Sequence, residues 1–232
     1  MKLALISFFL ATLSGVQPTT RRAPAANTGT ATYNQLLLSN FIEMITGDFE
    51  DRRYIYPNGT TRIMEANCRF LPVDATALRT PGTVLFHYAE DNDNYFRHSL
   101  HGVSINDGGR IIVKNYRFID RNFSNNSLLV ASEYFQDTLT ADMVENFPHC
   151  DNVFSRDEYR TDAFVVSFAV CPLDDAHPKD PPYLTGVFNC TGLHLTHPDL
   201  TVFKMDKSPW RFTAFPSYVN TYRKNPKPCG RT

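Results

Sequence analysis

Charge is scarce in this sequence and neither sign prevails. Asp, Glu, Lys and Arg make up 20% of the 232 residues, and 23 basic against 24 acidic side chains leave a net charge of −1. Without a basic excess there is no electrostatic footprint for a phosphate backbone, which argues against DNA or RNA as a partner. The five cysteines contain no C-x-x-C pair, so zinc-ribbon and thioredoxin-like chemistry find no support. The chain also lacks a G-x-S-x-G elbow, a P-loop and a G-x-G-x-x-G turn, which removes the usual signatures of α/β-hydrolases and nucleotide enzymes. Asp91-Asn92-Asp93 opens like a calcium loop, but Phe96 stands where a glycine is needed and Gly102 where a glutamate is needed. Beyond Leu13 no apolar run approaches the roughly 18 residues that a membrane helix requires.

What the chain has is apolar and aromatic mass: 42% hydrophobic residues, with 18 Phe and 11 Tyr beside a single Trp. That is enough for a real core, since a chain of this size can bury about 70% of its unfolded surface. The composition is uniform, without repeats, and predicts one domain. Met1-Lys2 followed by the apolar run Leu3 to Leu13 and small residues has the form of a signal peptide, assigned to residues 1–17. Residues 18–32 read as a flexible leader, 33–219 as the folded domain and 220–232 as a basic, Pro-containing tail. A secreted, extracellular glycoprotein without a membrane span is expected. Asn58, Asn122, Asn125 and Asn189 each begin a glycosylation sequon, with Asn58 and Asn122 in turn-like surroundings and Asn189 in an apolar run.

Periodicity predicts a mainly β domain. Leu37, Leu38, Phe41, Ile42 and Ile45 form one apolar stripe at helical spacing, so Tyr33 to Phe49 is expected as an N-terminal helix, with Gly47 as the candidate stop. Short strands are expected over 62–71, 83–88, 163–170, 183–188 and 200–205. The clearest hairpin joins 96–105 to 110–118 through Asn106-Asp107-Gly108-Gly109, residues that tolerate the positive φ of tight turns. Thr140 and Asp142 predict one short additional helix from Ala141 to Asn146, ended by Pro148. The whole reads as a single antiparallel β-barrel or sandwich.

Histidines are the remaining chemical candidates. His194 and His197 are three apart, which on a strand places them on opposite faces, so they read as a surface pair rather than metal ligands. His98 and His101 lie on an expected strand and could act as ligands or bases, but the sequence shows no partner for either. The aromatic load fills a core or lines a pocket for a flat conjugated ligand; composition alone does not separate these.

From Phe41 onward the order of motifs resembles the CpcT/CpeT chromophore lyase family. Phe41 to Asp51 is similar to its opening helix, and Gly82 to Glu90 with Tyr95-Phe96-Arg97 to its strand leading into a Tyr-Arg-x-Arg segment. Gly109 to Tyr116 resembles the following strand, and Phe147-Pro148-His149-Cys150 the family's Leu-Pro-Gly-Cys. Tyr183-Leu184, Asp206-Lys207-Ser208, Trp210 and Phe215-Pro216-Ser217-Tyr218 resemble its later motifs in order.

The resemblance implies a calyx-like, lipocalin-like barrel that holds an open-chain tetrapyrrole, a bilin, and a lyase activity that attaches bilin to a cysteine of an acceptor protein. It makes Tyr88, Tyr95, Arg97, Asp206 and Trp210 the ligand-binding candidates. Arg97 would fork onto propionates, the tyrosines would meet pyrrole groups, and Trp210 would stack. No metal or further cofactor is implied, and the catalytic residues stay unassigned. Several positions depart from the family pattern: Ser99 replaces the second Arg, Tyr88-Ala89 the usual Glu-Gln, Lys207 an Arg and Arg211 a Gly. These departures retain the barrel and favour binding over bond formation. The alternatives are a secreted carrier of a small apolar ligand and an extracellular structural protein; a homodimer is left open. Cys150 and Cys171 fall at the family's cysteines. A secreted chain favours a disulfide between them over a free thiolate; Cys229 is the first candidate for the odd thiol, with Cys68 and Cys190 left open to pair with it or with each other.

Overall fold

The structure is a computed structural model and describes residues 28–64, 66–92, 95–120, 139–146, 150–160, 162–168, 184–208, 216–223 and 229. Its elements, in order, are helix α1 (Thr28–Ile45) and strands β1 (Gly47–Ile55), β2 (Thr61–Met64), β3 (Ala66–Pro72), β4 (Val84–Asn92), β5 (Tyr95–Ile105) and β6 (Ile111–Phe118). β7 (Val144–Asn146), β8 (Asn152–Arg156), β9 (Ala163–Ser167), β10 (Thr185–Asn189), β11 (Gly192–Thr196) and β12 (Val202–Lys207) follow. Every pairing is antiparallel. Ten strands run up and down in the order β1, β3, β4, β5, β6, β8, β9, β10, β11, β12, and β12 returns to pair with β1. The sheet is thereby a closed barrel with no free edge in the ring. β2 and β7 pair alongside β1 and β6 as short flanking ribbons.

Alternation along the strands sorts side chains to two faces. Val84, Phe86, Val103, Ile111, Val113, Phe154, Phe164, Val166, Phe188, Leu195 and Phe203 point inward and join one core with α1. The helix delivers the expected stripe of Leu37, Leu38, Phe41, Ile42 and Ile45, all buried. Phe41 meets Phe154 and Phe164 edge-on at 4.9 and 5.1 Å. Asn34 and Leu37 sit against Gly109 of the β5–β6 turn, so α1 lies at the end of the barrel carrying that turn. Lys207 fastens the helix from β12 by donating to the carbonyls of Glu43 and Met44 at 3.0 and 2.8 Å, a cap on otherwise orphaned C-terminal acceptors. Its burial pushes the ammonium pKa down to about 8.

A second core lies on the outside of the barrel. Leu85, Leu100 and Phe118 point outward from β4, β5 and β6 and are covered by Val73, Ala75, Leu139 and Val144. Tyr218 pins this cover: its hydroxyl donates to the Val73 carbonyl at 2.7 Å and accepts from the Leu85 amide at 3.1 Å.

Several expectations need correction. The helix spans Thr28–Ile45 rather than Tyr33 to Phe49, because Gly47, at φ +134°, turns the chain into β1. The short helix expected over Ala141 to Asn146 is a single 3-10 turn, Ala141–Met143, followed by β7. Thr140 makes no side-chain cap, and Val144 instead pairs with Phe118, so the ladder at β6 outweighs the local capping signal. Residues 62–71 divide into β2 and β3, and β8 is a further strand beyond the expected set. Cys229 is not the odd thiol: it bonds Cys190, with Cα atoms 5.2 Å apart, and the buried Cys68 is in no disulfide among the described residues. Cys150 is also disulfide-bonded, while Cys171 lies outside the described residues.

A polar inner wall as the candidate functional site

The inner face of β4–β6 changes character away from α1. Val84 pairs with Val103, and the next inward pairs are Phe86 with His101 and Tyr88 with Ser99, with Glu90 in register with Arg97. On β6, Asn115 stands directly across from His101. Apolar positions near the helix thus give way to a phenol, a carboxylate, a hydroxyl, an imidazole and a carboxamide on one wall. Polar groups facing a barrel interior must find partners or they destabilise the fold by a few kcal/mol each.

They find one another. The Tyr88 hydroxyl donates to Glu90 Oε2 at 2.7 Å, giving a donor to a carboxylate that is only 2% exposed. His101 Nε2 lies 3.1 Å from Ser99 Oγ, and its Nδ1 lies 2.7 Å from Asn115 Oδ1. Asn115 Nδ2 donates in turn to the Cys150 carbonyl, which turns its oxygen toward the imidazole. Phe70 completes the wall: its ring is 4.7 Å from Tyr88 and 6.0 Å from His101. Cys68 is the inward neighbour of Glu90 on β3, with its sulfur 3.5 Å from that of Met205.

The five ligand candidates separate on this geometry. Tyr88 is on the wall. Tyr95 and Arg97 are on β5 at positions in step with Ser99 and His101, with Arg97 opposite Glu90, but their side chains lie outside the described residues. Trp210 lies outside them altogether. Asp206 is half-exposed on β12 and ion-paired with Arg53 of β1; it alternates with the inward Met205 and Lys207, so it faces away from the wall.

Among the sequons, Asn58 is exposed in the β1–β2 turn, where its oxygen accepts from the Thr60 amide at 3.0 Å. Asn189 is 4% exposed, and its oxygen takes hydrogen bonds from Thr191 and Gly192 in the β10–β11 turn. Asn122 and Asn125 lie outside the described residues. His194 is half-buried on β11, whereas His197 is buried just beyond it, so the two do not form a surface pair.

Sequence reasoning left His101 without a partner and did not single out Ser99 or Asn115 for chemistry. The signal was the shared alternation of Ser99 with His101; the missing half was the β5–β6 register, which brings Asn115 opposite. The remaining two strand histidines, His87 and His98, form a separate outward pair, with Nε2 of one 3.0 Å from Nδ1 of the other. Burial first, then the neighbouring positive charge of His98, holds the His87 pKa down to about 3.

A closed, ten-stranded antiparallel barrel with one helix and a hydrogen-bonded polar wall inside it is the class that fold and site define. No family model and no curated protein matches the chain. Among the described residues no helix is long and apolar enough to cross a membrane.

Proposed function

We propose that this chain is a ligand-binding barrel of the chromophore-lyase type, taking an open-chain tetrapyrrole against the inner wall of β4–β6. One observation carries the proposal: polar and aromatic groups are gathered on one inward wall, Tyr88, Glu90, Ser99, His101 and Asn115 beside Phe70, where a purely structural barrel would be filled with aliphatic side chains. A conjugated ring system stacks on Phe70 and Tyr88, and its pyrrole nitrogens and carbonyls meet Glu90 and His101. Arg97, one step further along β5, takes a propionate. The departures at Ser99 and Lys207 incline the barrel toward holding the pigment rather than attaching it to an acceptor cysteine. In the same proposal residues 1–17 are a signal peptide, the mature protein is secreted, and Asn58 carries glycan.

Titration of the folded protein with biliverdin, followed by visible absorbance, tests this. A saturable red shift near one equivalent is expected, weakened in Tyr88→Phe and Arg97→Ala. Acid–urea denaturation then reports whether the pigment is covalently held. No spectral change with any bilin overturns the tetrapyrrole assignment and leaves the second proposal, a carrier of smaller apolar ligands, which rests on the aromatic side of the same wall.

A further inference from the structure

Ser99 and His101 are two residues apart on β5 and therefore share its inward face. Asn115 is the cross-strand partner of His101. The three side chains form a line: Ser99 Oγ to His101 Nε2 at 3.1 Å, then His101 Nδ1 to Asn115 Oδ1 at 2.7 Å. The bond from Asn115 Nδ2 to the Cys150 carbonyl fixes which end of the carboxamide meets the ring. A carboxamide oxygen only accepts, so the imidazole proton resides on Nδ1 and Nε2 offers its lone pair to the serine hydroxyl. Phe70 and Tyr88, with ring centroids 6.0 and 5.6 Å from the imidazole, limit its rotation. All three residues are half-buried rather than sealed in the core.

Nucleophile, base and orienting group in that order are the parts of an activated serine. We propose that Ser99 is a nucleophile toward small, flat carboxylic esters bound on the Phe70–Tyr88 wall, with His101 as its base and Asn115 as the positioning residue. Ser99 Oγ forms a bond to the ester carbonyl carbon while its proton passes to His101 Nε2. Collapse of the tetrahedral adduct breaks the bond to the alcohol oxygen, which leaves with that proton. Water then attacks the acyl-serine, gives its proton to His101, and returns the free acid and the serine hydroxyl. The net reaction consumes ester and water and yields acid and alcohol.

Ser99 pairs with Tyr88 of β4, and the register with β6 begins at Leu100, so a backbone oxyanion hole is no part of this proposal. Turnover is accordingly slow, and covalent capture is the better readout. The inference goes beyond tetrapyrrole binding and stands without it.

The test treats the full-length folded protein with a fluorophosphonate probe and maps the adduct by peptide mass, with a burst assay on 4-nitrophenyl acetate alongside. The expected adduct is on Ser99 and is absent in Ser99→Ala, whose melting curve should match wild type. His101→Gln should slow labelling by about 100-fold or more. Asn115→Ala should slow it less and move the pH profile. Asn115→Asp should restore the rate with the acid limb displaced to higher pH, because a carboxylate stabilises the imidazolium; a merely structural Asn115 would leave that limb in place. A folded protein unlabelled at Ser99, or labelled there at the same rate without His101, overturns the inference. Biliverdin titration of the same preparation separates that failure from failure of the binding proposal.

Discussion

On the β4–β5 pair, His87 and His98 point out of the barrel and His101 points into it, yet the outward histidines are the dry ones. His87 and His98 are 2% and 3% exposed, beside Leu85 and Leu100 at 1% and 0%, whereas Tyr88, Ser99 and His101 on the inner face are only half-buried. The reason is cover. The outer face lies under Val73, Ala75, Leu139 and Val144, while the inner apolar packing fades with distance from α1. One consequence is chemical. The outward imidazoles are shielded and hydrogen-bond each other, so they serve as a structural pair. The inward one is oriented by Asn115 and only half-buried, which suits it to the proposed site. Which face of a strand holds the core is therefore not enough to locate a site; what covers each face decides.

The largest expected effect comes from breaking the outer side. Leu100→Ala should destabilise the protein by about 3 kcal/mol in urea unfolding, as for a cavity in a closed core; a loss below about 0.5 kcal/mol would mean the outer cover is not a core at all.

Acid should act on the same side. Unfolded His87 has the ordinary pKa of 6.5, and the folded value is about 3, so the folded state binds fewer protons between those limits. Its stabilising contribution is complete above pH 6.5 and is lost as the pH falls toward 3. Lowering the pH from 7 to 5 should cost about 2 kcal/mol through this one group. A His87→Gln variant should show a correspondingly flatter dependence of stability on pH, and an unchanged slope would contradict the assignment.

On the inner side the effects are smaller. Tyr88→Phe removes a donor from the buried Glu90 carboxylate and should cost about 1–2 kcal/mol. Chemical denaturation checks it, and a neutral outcome would show Glu90 satisfied elsewhere. Ser99→Ala should change stability by less than about 0.5 kcal/mol while altering reactivity. That split between stability and chemistry is what most sharply distinguishes the two faces.

The sequence carried the alternation and the turn, and those parts were legible. Asn106 to Gly109 predicted the β5–β6 hairpin, and Gly109 sits at φ +73° as that turn requires. The apolar stripe of α1 was equally plain. What could not be read was pairing across distance. Asn115 is fourteen residues from His101 along the chain, and only the hairpin register places them opposite one another. The same holds for Cys190 and Cys229, whose separation of 39 residues has no local signature. At Ala141 to Asn146 the local signal was misleading, because a strand partner at Phe118 was available and a cap at Thr140 was not used. Motif order carries no information about face at Asp206, which the alternation of β12 sends outward.

The seam between β1 and β12 sets a condition on how this molecule is made. Phe49, near the start of the domain, pairs with Lys207, near its end, and that pairing alone turns a sheet into a ring. Each intervening hairpin can form from neighbouring residues, but the ring waits for its final strand. Folding is therefore governed by a search across nearly the whole chain and belongs on the slow, high-contact-order end of the scale. Until the search ends, two strand edges stay open, and a second unfinished copy is as good a partner for either as the proper one.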